Sequence, residues 1–212
     1  MPETFKNKYR RTSHRKPGWD YSSDGMYYIT LVTQDRICNL GKIINTSCNA
    51  CMQLSKFGQI VDAEWHKSFE IRKELFLDEY IIMPNHLHAI VVIDKNDKTM
   101  ADTVGAEIVG AHGRAPLQFP PYLPLHPFVP LHPFYRLPKS ISSFLAGFKS
   151  AVNSKIDDYI DANHLNIPKY NRHNHFFQPN YYDHIIRDEQ SYQRISEYIK
   201  NNPAKWQDDK FF

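Results

Sequence analysis

Leu75-Phe76-Leu77-Asp78-Glu79-Tyr80-Ile81-Ile82-Met83-Pro84-Asn85-His86-Leu87-His88-Ala89-Ile90-Val91-Val92-Ile93 holds two apolar runs separated by one turn pair. Proline presets φ at the first corner of a turn, and asparagine tolerates the second. The spacing therefore predicts an antiparallel hairpin with arms over Leu75–Met83 and His86–Ile93. Strand side chains alternate between faces, so His86 and His88 project the same way. They stand just past the turn, near the end of the sheet, where a substrate can reach them. Two imidazoles on one face can share a metal ion.

Working outward, Met26 to Thr33 is rich in aromatic and β-branched residues and reads as another strand. After Phe57-Gly58, the residues Ile60, Val61, Trp65 and Phe69 share the broad apolar face of a helix. Residues 140–159 are helical in pattern, with Ile141, Phe144, Leu145, Phe148, Val152 and Ile156 at steps of three and four and Ser140 as N-cap. Phe176-Phe177-Gln178 reads as a short closing strand. Asp188 caps a last helix through Tyr192, Ile195, Tyr198 and Ile199, which Pro203 ends. The order is strand, helix, strand, strand, helix, short strand, helix. It predicts an α+β fold with helices packed on one face of a small antiparallel sheet.

At 212 residues, 42% of them hydrophobic and 14% aromatic, the chain is long enough for a real core and is not a disordered tail. The net charge of +3 says little, but its distribution says more. Residues 1–20 form a basic arm, with Lys6, Lys8, Arg10, Arg11, Arg15 and Lys16 beside Tyr9, His14 and Trp19. The arm reads equally as a phosphate-binding segment or as a solvated terminus. No window approaches the roughly 18 apolar residues that span a bilayer, so no membrane partner is expected. The basic start has no apolar run after it and does not read as a secretory signal. Three cysteines fit a reducing cytosol, and a cytoplasmic location is expected. Cys48 and Cys51 form a C-x-x-C with Cys38 upstream and His66 as a conceivable fourth ligand, but without a second pair ordinary thiols are the better reading. At about 95–138 a proline-rich insertion interrupts the domain of residues 21–212, with a repeat at Pro124-Leu125-His126-Pro127-Phe128 and Pro130-Leu131-His132-Pro133-Phe134. Spaced prolines exclude a helix or a central strand and give His126 and His132 no preformed pocket. The insertion reads as a tolerated surface linker before a docking segment or flap.

Tyr198 and Asn202 stand at i,i+4 in Tyr198-Ile199-Lys200-Asn201-Asn202-Pro203. By spacing alone Tyr198 is a core aromatic. Paired with Asn202, the proline stop and the histidines, it suggests phosphodiester chemistry with a tyrosine nucleophile. Tyr181 and Tyr182 are weaker rivals on an extended segment.

Met83 to His88 resembles the His-hydrophobic-His signature of single-tyrosine HUH transposases. Tyr198 to Pro203 resembles the C-terminal motif of their REP-associated branch. Residues 21–36, 144–152 and 178–187 resemble the family's connecting segments, so the likeness covers most of the chain outside the insertion. It implies a ferredoxin-like fold, in agreement with the element order. It implies that His86 and His88, completed by Asn202, hold Mg²⁺ or Mn²⁺ on the scissile phosphate of single-stranded, hairpin-containing DNA. It implies that Tyr198 attacks phosphorus, giving a 5′-phosphotyrosine and a free 3′-hydroxyl. His184 and Arg187 are candidate phosphate contacts, as are Arg10, Arg11, Lys149 and Lys155, with Arg72 and Lys73 as further surface cations. The resemblance leaves homodimer and monomer open, with Tyr198 serving its own site or a partner's. Two alternatives stand beside it: a repressor-like DNA-binding protein without catalysis, and a replication or conjugation nickase. A histidine-triad hydrolase is excluded because Ile90 stands where it needs a third histidine.

Overall fold

The computed structural model describes residues 16, 18–45, 50–95, 137–209 and 211. Arg10, Arg11, Cys48, His126, His132 and nearly all of the proline-rich insertion lie outside them. The elements run β1 (Gly25–Val32), β2 (Gly41–Asn45), β3 (Ala50–Leu54), α1 (Lys56–Ile71), β4 (Leu75–Met83), β5 (His86–Ile93), α2 (Ile141–Ala162), β6 (Tyr182–Ile186) and α3 (Glu189–Asn201). A 3₁₀ turn at Pro203–Asp208 follows α3.

Four strands form one antiparallel sheet in the order β4-β5-β1-β6, and β2 and β3 make a separate two-stranded ribbon. With α1 and α2 as crossovers, this is the βαββαβ arrangement of a ferredoxin-like α+β fold. The hairpin around Pro84-Asn85 forms with the expected arms, Met83 opposite His86. Its register slips once, between Leu77 and Tyr80, where Asp78 and Glu79 bulge. The bulge is what keeps β4 amphipathic. Leu75 and Leu77 before it and Tyr80 and Ile82 after it all face the same core.

The sheet has two apolar faces. Tyr27, Ile29 and Leu31 of β1 and Leu87, Ala89, Val91 and Ile93 of β5 face the larger core under α1 and α2. There Trp65 is wholly buried, its ring 5.3 Å from Phe144 and 4.9 Å from Phe148. α2 begins where its expected cap stands, with Ser140 and Ser143 in a reciprocal capping box, and α1 begins at Lys56, before Phe57-Gly58, where Ser55 accepts from Gly58 N. The helices thus cover one face as expected, except α3, which takes the other. Ile195 and Ile199 pack there on Met26, Ile90 and Ile186. Burying each isoleucine contributes about 2 kcal/mol, and the Lys200–Glu79 ion pair at 2.7 Å ties α3 to the β4 bulge.

Two sequence expectations change. Phe176-Phe177-Gln178 makes only an isolated bridge, Thr33 to Phe177, because both rings are taken into the core. The closing strand is β6, one turn further on. The β2–β3 ribbon is an element the sequence pattern does not announce. Both strands are short and only half-buried, and just Ala50, Met52 and Leu54 of β3 make an apolar face, with Met52 and Leu54 against the large core. No helix among the described residues is long and apolar enough to cross a membrane.

Candidate functional site

On the α3 face of the sheet, the alternation of β5 places His86 and His88 side by side, both fully buried, with ring centroids 4.4 Å apart. Strand register supplies their partners. Thr30 of β1 lies directly opposite His88, and its hydroxyl is 2.8 Å from His88 Nδ1. Tyr28, two residues earlier on the same face, brings its hydroxyl to 2.8 Å from the same nitrogen. His88 Nε2 is thereby turned the other way, 3.3 Å from Tyr198 Oη.

The turn residue Asn85 orients His86. Its Nδ2 donates to the carbonyls of Arg36 (3.2 Å) and Phe211 (2.7 Å), which fixes the amide. Its Oδ1 then faces His86 Nδ1 at 2.9 Å. An amide oxygen only accepts, so the hydrogen bond assigns the proton to Nδ1 and leaves the Nε2 lone pair for a ligand. The turn itself is held from behind, since Thr33 donates through both N and Oγ1 to Asn85 O, and Leu40 N donates to Pro84 O.

α3 supplies the other half. Asp188 caps it by accepting from Ser191 N at 2.7 Å. Burial of Ile195 and Ile199 leaves Tyr198 on the shoulder of the helix, 38% exposed and directed at His88. Asn202 is buried at the helix end. The chain then reverses through the 3₁₀ turn and returns Asp209 to the site. Asp209 Oδ2 accepts from Tyr198 Oη (2.9 Å) and Asn202 Nδ2 (3.2 Å), while its Oδ1 accepts from Phe211 N (2.7 Å). Ligand atoms of His86, His88 and Asp209 all lie within 4.8 Å of one another.

Burial, the Asp209 hydrogen bond and the Asp209 charge push the Tyr198 phenol up to about 12, with Asn202 opposing. The half-buried Tyr28 phenol is likewise raised, chiefly by desolvation. Two imidazole nitrogens and a carboxylate make a mixed set of nitrogen and hard oxygen donors, and the buried Asn202, whose Nδ2 donates to Asp209, holds beside it an Oδ1 with no hydrogen-bond partner among the described residues. Such a set fits Mn²⁺ or Mg²⁺ better than a thiolate-seeking ion.

His86, His88, Tyr198 and Asn202, chosen from sequence, therefore meet in one place. Asp209 was missed. Seven positions beyond Asn202, it carries no periodic signal and depends on the chain reversal after Pro203. Tyr28, Thr30 and Asn85 were missed as supporting residues; Thr30 could have been found by pairing β1 with β5 in register. The rival Tyr181 bonds Ser142 on the α2 side (3.1 Å), and Tyr182 packs against Phe211. Of the expected phosphate contacts, His184 lies on β6 opposite Tyr28, and Arg187 stacks on Trp19. Lys149 Nζ donates to the carbonyls of Gln178, Pro179 and Asn180, tying α2 to the segment before β6. Lys155 pairs with Asp158 at 3.3 Å. Cys38 and Cys51 are exposed free thiols, and the metal-competent cluster found among the described residues contains no cysteine.

Fold and site define an α+β protein with a histidine–histidine–carboxylate cluster beside a helix-borne tyrosine. No protein-family model matches the chain. A Haemophilus influenzae protein described as "Uncharacterized protein" is 31% identical over 207 residues, which span 96% of this chain and 94% of that one. The chain belongs to the family of this Haemophilus influenzae protein. A solved structure of a REP-associated tyrosine transposase bound to a REP hairpin aligns with 94% of this chain and 74% of its own, at 16% identity and a TM-score of 0.49. A likeness of that size assigns no activity.

Proposed function

We propose that this protein is a metal-dependent, tyrosine-nucleophile nicking and strand-transfer enzyme acting on hairpin-containing single-stranded DNA, of the REP-associated tyrosine transposase type. The observation that carries this reading is the 3.3 Å approach of Tyr198 Oη to His88 Nε2, within a cluster able to hold a cation. His86, His88 and Asp209 would hold Mg²⁺ or Mn²⁺, with Asn202 closing the site. When bound, the ion neutralises a non-bridging phosphate oxygen.

The residues do the rest. Tyr198 is protonated at neutral pH, and Asp209 Oδ2 at 2.9 Å is the nearest acceptor for its proton. The phenolic oxygen bonds to phosphorus, the bond from phosphorus to the 3′-oxygen breaks, and that oxygen leaves as a hydroxyl after taking up a proton. The energy of the phosphodiester is kept in the 5′-phosphotyrosine, so a 3′-hydroxyl can reverse the step and join strands without another energy source. Tyr28 and Thr30 fix the ring of His88, and Asn85 orients His86 so that its Nε2 carries a lone pair toward the site.

A second reading, hairpin binding without turnover, is favoured by Phe211. Its ring lies 4.9 Å from His86 and 6.1 Å from His88, over the site. Labelled hairpin DNA with an unpaired flank, incubated with the protein and Mn²⁺ and run on a denaturing gel, separates the two. A covalent band lost in Tyr198→Phe and in His86→Ala supports the enzyme. Binding with no band over several hairpins and both metals supports the second reading.

A further inference from the structure

β6 is one of the two edge strands of the sheet, and beside it opens a cleft of about 550 Å³ between the strand and the start of α3. Lys16, His184, Arg187 and Arg194 line it, together with Asp183 and Asp188. The two acids are engaged elsewhere. Asp188 caps α3 through Ser191 N, and Asp183 is hydrogen-bonded by the Tyr21 hydroxyl. The cations are not matched by them. Lys16 and Arg187 lie on the Trp19 ring, at 5.2 and 5.7 Å from its centre. Neither they nor Arg194 make an ion pair with a described carboxylate. Both carboxylates keep their charge, so the three cations exceed them by one, and the Lys16, Arg187 and Arg194 side chains, engaged in no ion pair with a described carboxylate, are the groups open to an anion's phosphates.

Its position says which one. Gln190, Arg194, Tyr198 and Asn202 follow one another at i,i+4 along α3, so the cleft wall and the tyrosine share one stripe of the helix. On β6, Tyr182 and His184 share the face of Ile186, which is the face of His86 and His88. Lys16 is also the point where the basic residues 1–15 join the described chain.

We propose that this cleft holds backbone phosphates of the nucleic-acid strand flanking the one presented to Tyr198. Arg187 and Arg194 make the contacts, and neither contact requires a metal. The inference rests on the nucleic-acid reading above but not on catalysis.

The test is fluorescence anisotropy of a labelled single-stranded hairpin oligonucleotide with an unpaired flank, in EDTA, over a series of salt concentrations. Each lost phosphate contact removes roughly 0.7 from the slope of log K against log salt. Arg187→Gln/Arg194→Gln is therefore expected to lower the slope by roughly 1.4 and to weaken binding about tenfold or more at low salt. Arg187→Lys/Arg194→Lys is expected to retain the slope, which separates charge from a folding defect. Lys56→Gln/Lys67→Gln on α1, across the sheet, is expected to leave it unchanged. An unaltered slope in the arginine double variant, or an equal loss in the α1 variant, overturns the cleft. Loss of slope in a protein that forms no covalent band keeps the cleft and sinks the enzymatic reading. A covalent band with an unaltered slope does the reverse, and no binding at all sinks both.

Discussion

Asn85 decides which nitrogen of His86 carries its proton, and it does so from a turn position that sequence reading assigned only a backbone role. Two of its three side-chain hydrogen bonds are buried and the third, to Arg36 O, is partly so; Asn85→Ala takes a buried partner from the Phe211 carbonyl and from the His86 imidazole. The expected cost is about 2–3 kcal/mol in thermal or urea unfolding. With the ring no longer held, Mn²⁺ affinity by calorimetry is expected to fall about 10- to 100-fold. Unchanged affinity would remove Asn85 from the site. Asp209→Ala is expected to weaken Mn²⁺ by at least tenfold. Asn202→Ala should weaken it less, since Asn202 reaches the cluster by way of Asp209. The reverse order would make Asn202 the principal oxygen donor. The histidines were legible because they obey the period of two on a strand. Tyr198, a core aromatic by spacing alone, became a candidate only through Asn202, the Pro203 stop and the histidines, and Asn202 as a ligand only through the family resemblance. Asp209 obeys no period.

The secondary-structure elements tell a similar story about what local pattern can carry. The β4–β5 hairpin, α1, α2 and α3 follow from apolar periodicity and caps, and their ends agree closely with the observed ones. Phe176-Phe177 misleads because aromatic pairs mark both strands and cores. Here the rings meet edge to face at 4.9 Å inside the core while the backbone makes one bridge. Phe57-Gly58, legible only as the lead into a helix, turns out to be a docking point. A methyl at Gly58 would sit 2.0 Å from the carbonyl oxygen of Leu40, whose own N–H supports Pro84. Backbone on both sides cannot yield cheaply. Gly58→Ala is therefore expected to destabilise by about 2–4 kcal/mol despite alanine's better helix propensity. A neutral or stabilised variant would mean that α1 does not buttress the site turn.

At the scale of the whole molecule, the sheet separates two tasks. One face carries the large core, and the other carries the site beneath α3. That division was not readable from element order, because helix amphipathicity tells which face of a helix is buried and not which side of a sheet buries it. The large core also sets an alkaline limit. Tyr27 is fully buried, and desolvation pushes its phenol up to about 12. Below pH 10 it is protonated in folded and unfolded chains alike, and its contribution is intact. From pH 10 to 12 the unfolded chain loses the proton first, so stability falls, by about 2–3 kcal/mol for this group. Tyr27→Phe is expected to flatten urea-unfolding free energy against pH over that window by close to one proton. An unchanged slope would place the alkaline sensitivity elsewhere.

The central claim is that the phenol on α3 and the imidazoles on β5 form one reaction centre. Mapping the covalent product tests it most directly. The protein is incubated with hairpin single-stranded DNA and Mn²⁺, digested with protease and nuclease, and sequenced by mass spectrometry. The expected result is a 5′-linked nucleotide on Tyr198 alone, absent in EDTA and absent in His88→Ala. A nucleotide on Tyr181 or Tyr182, or one formed equally without metal, would contradict the account.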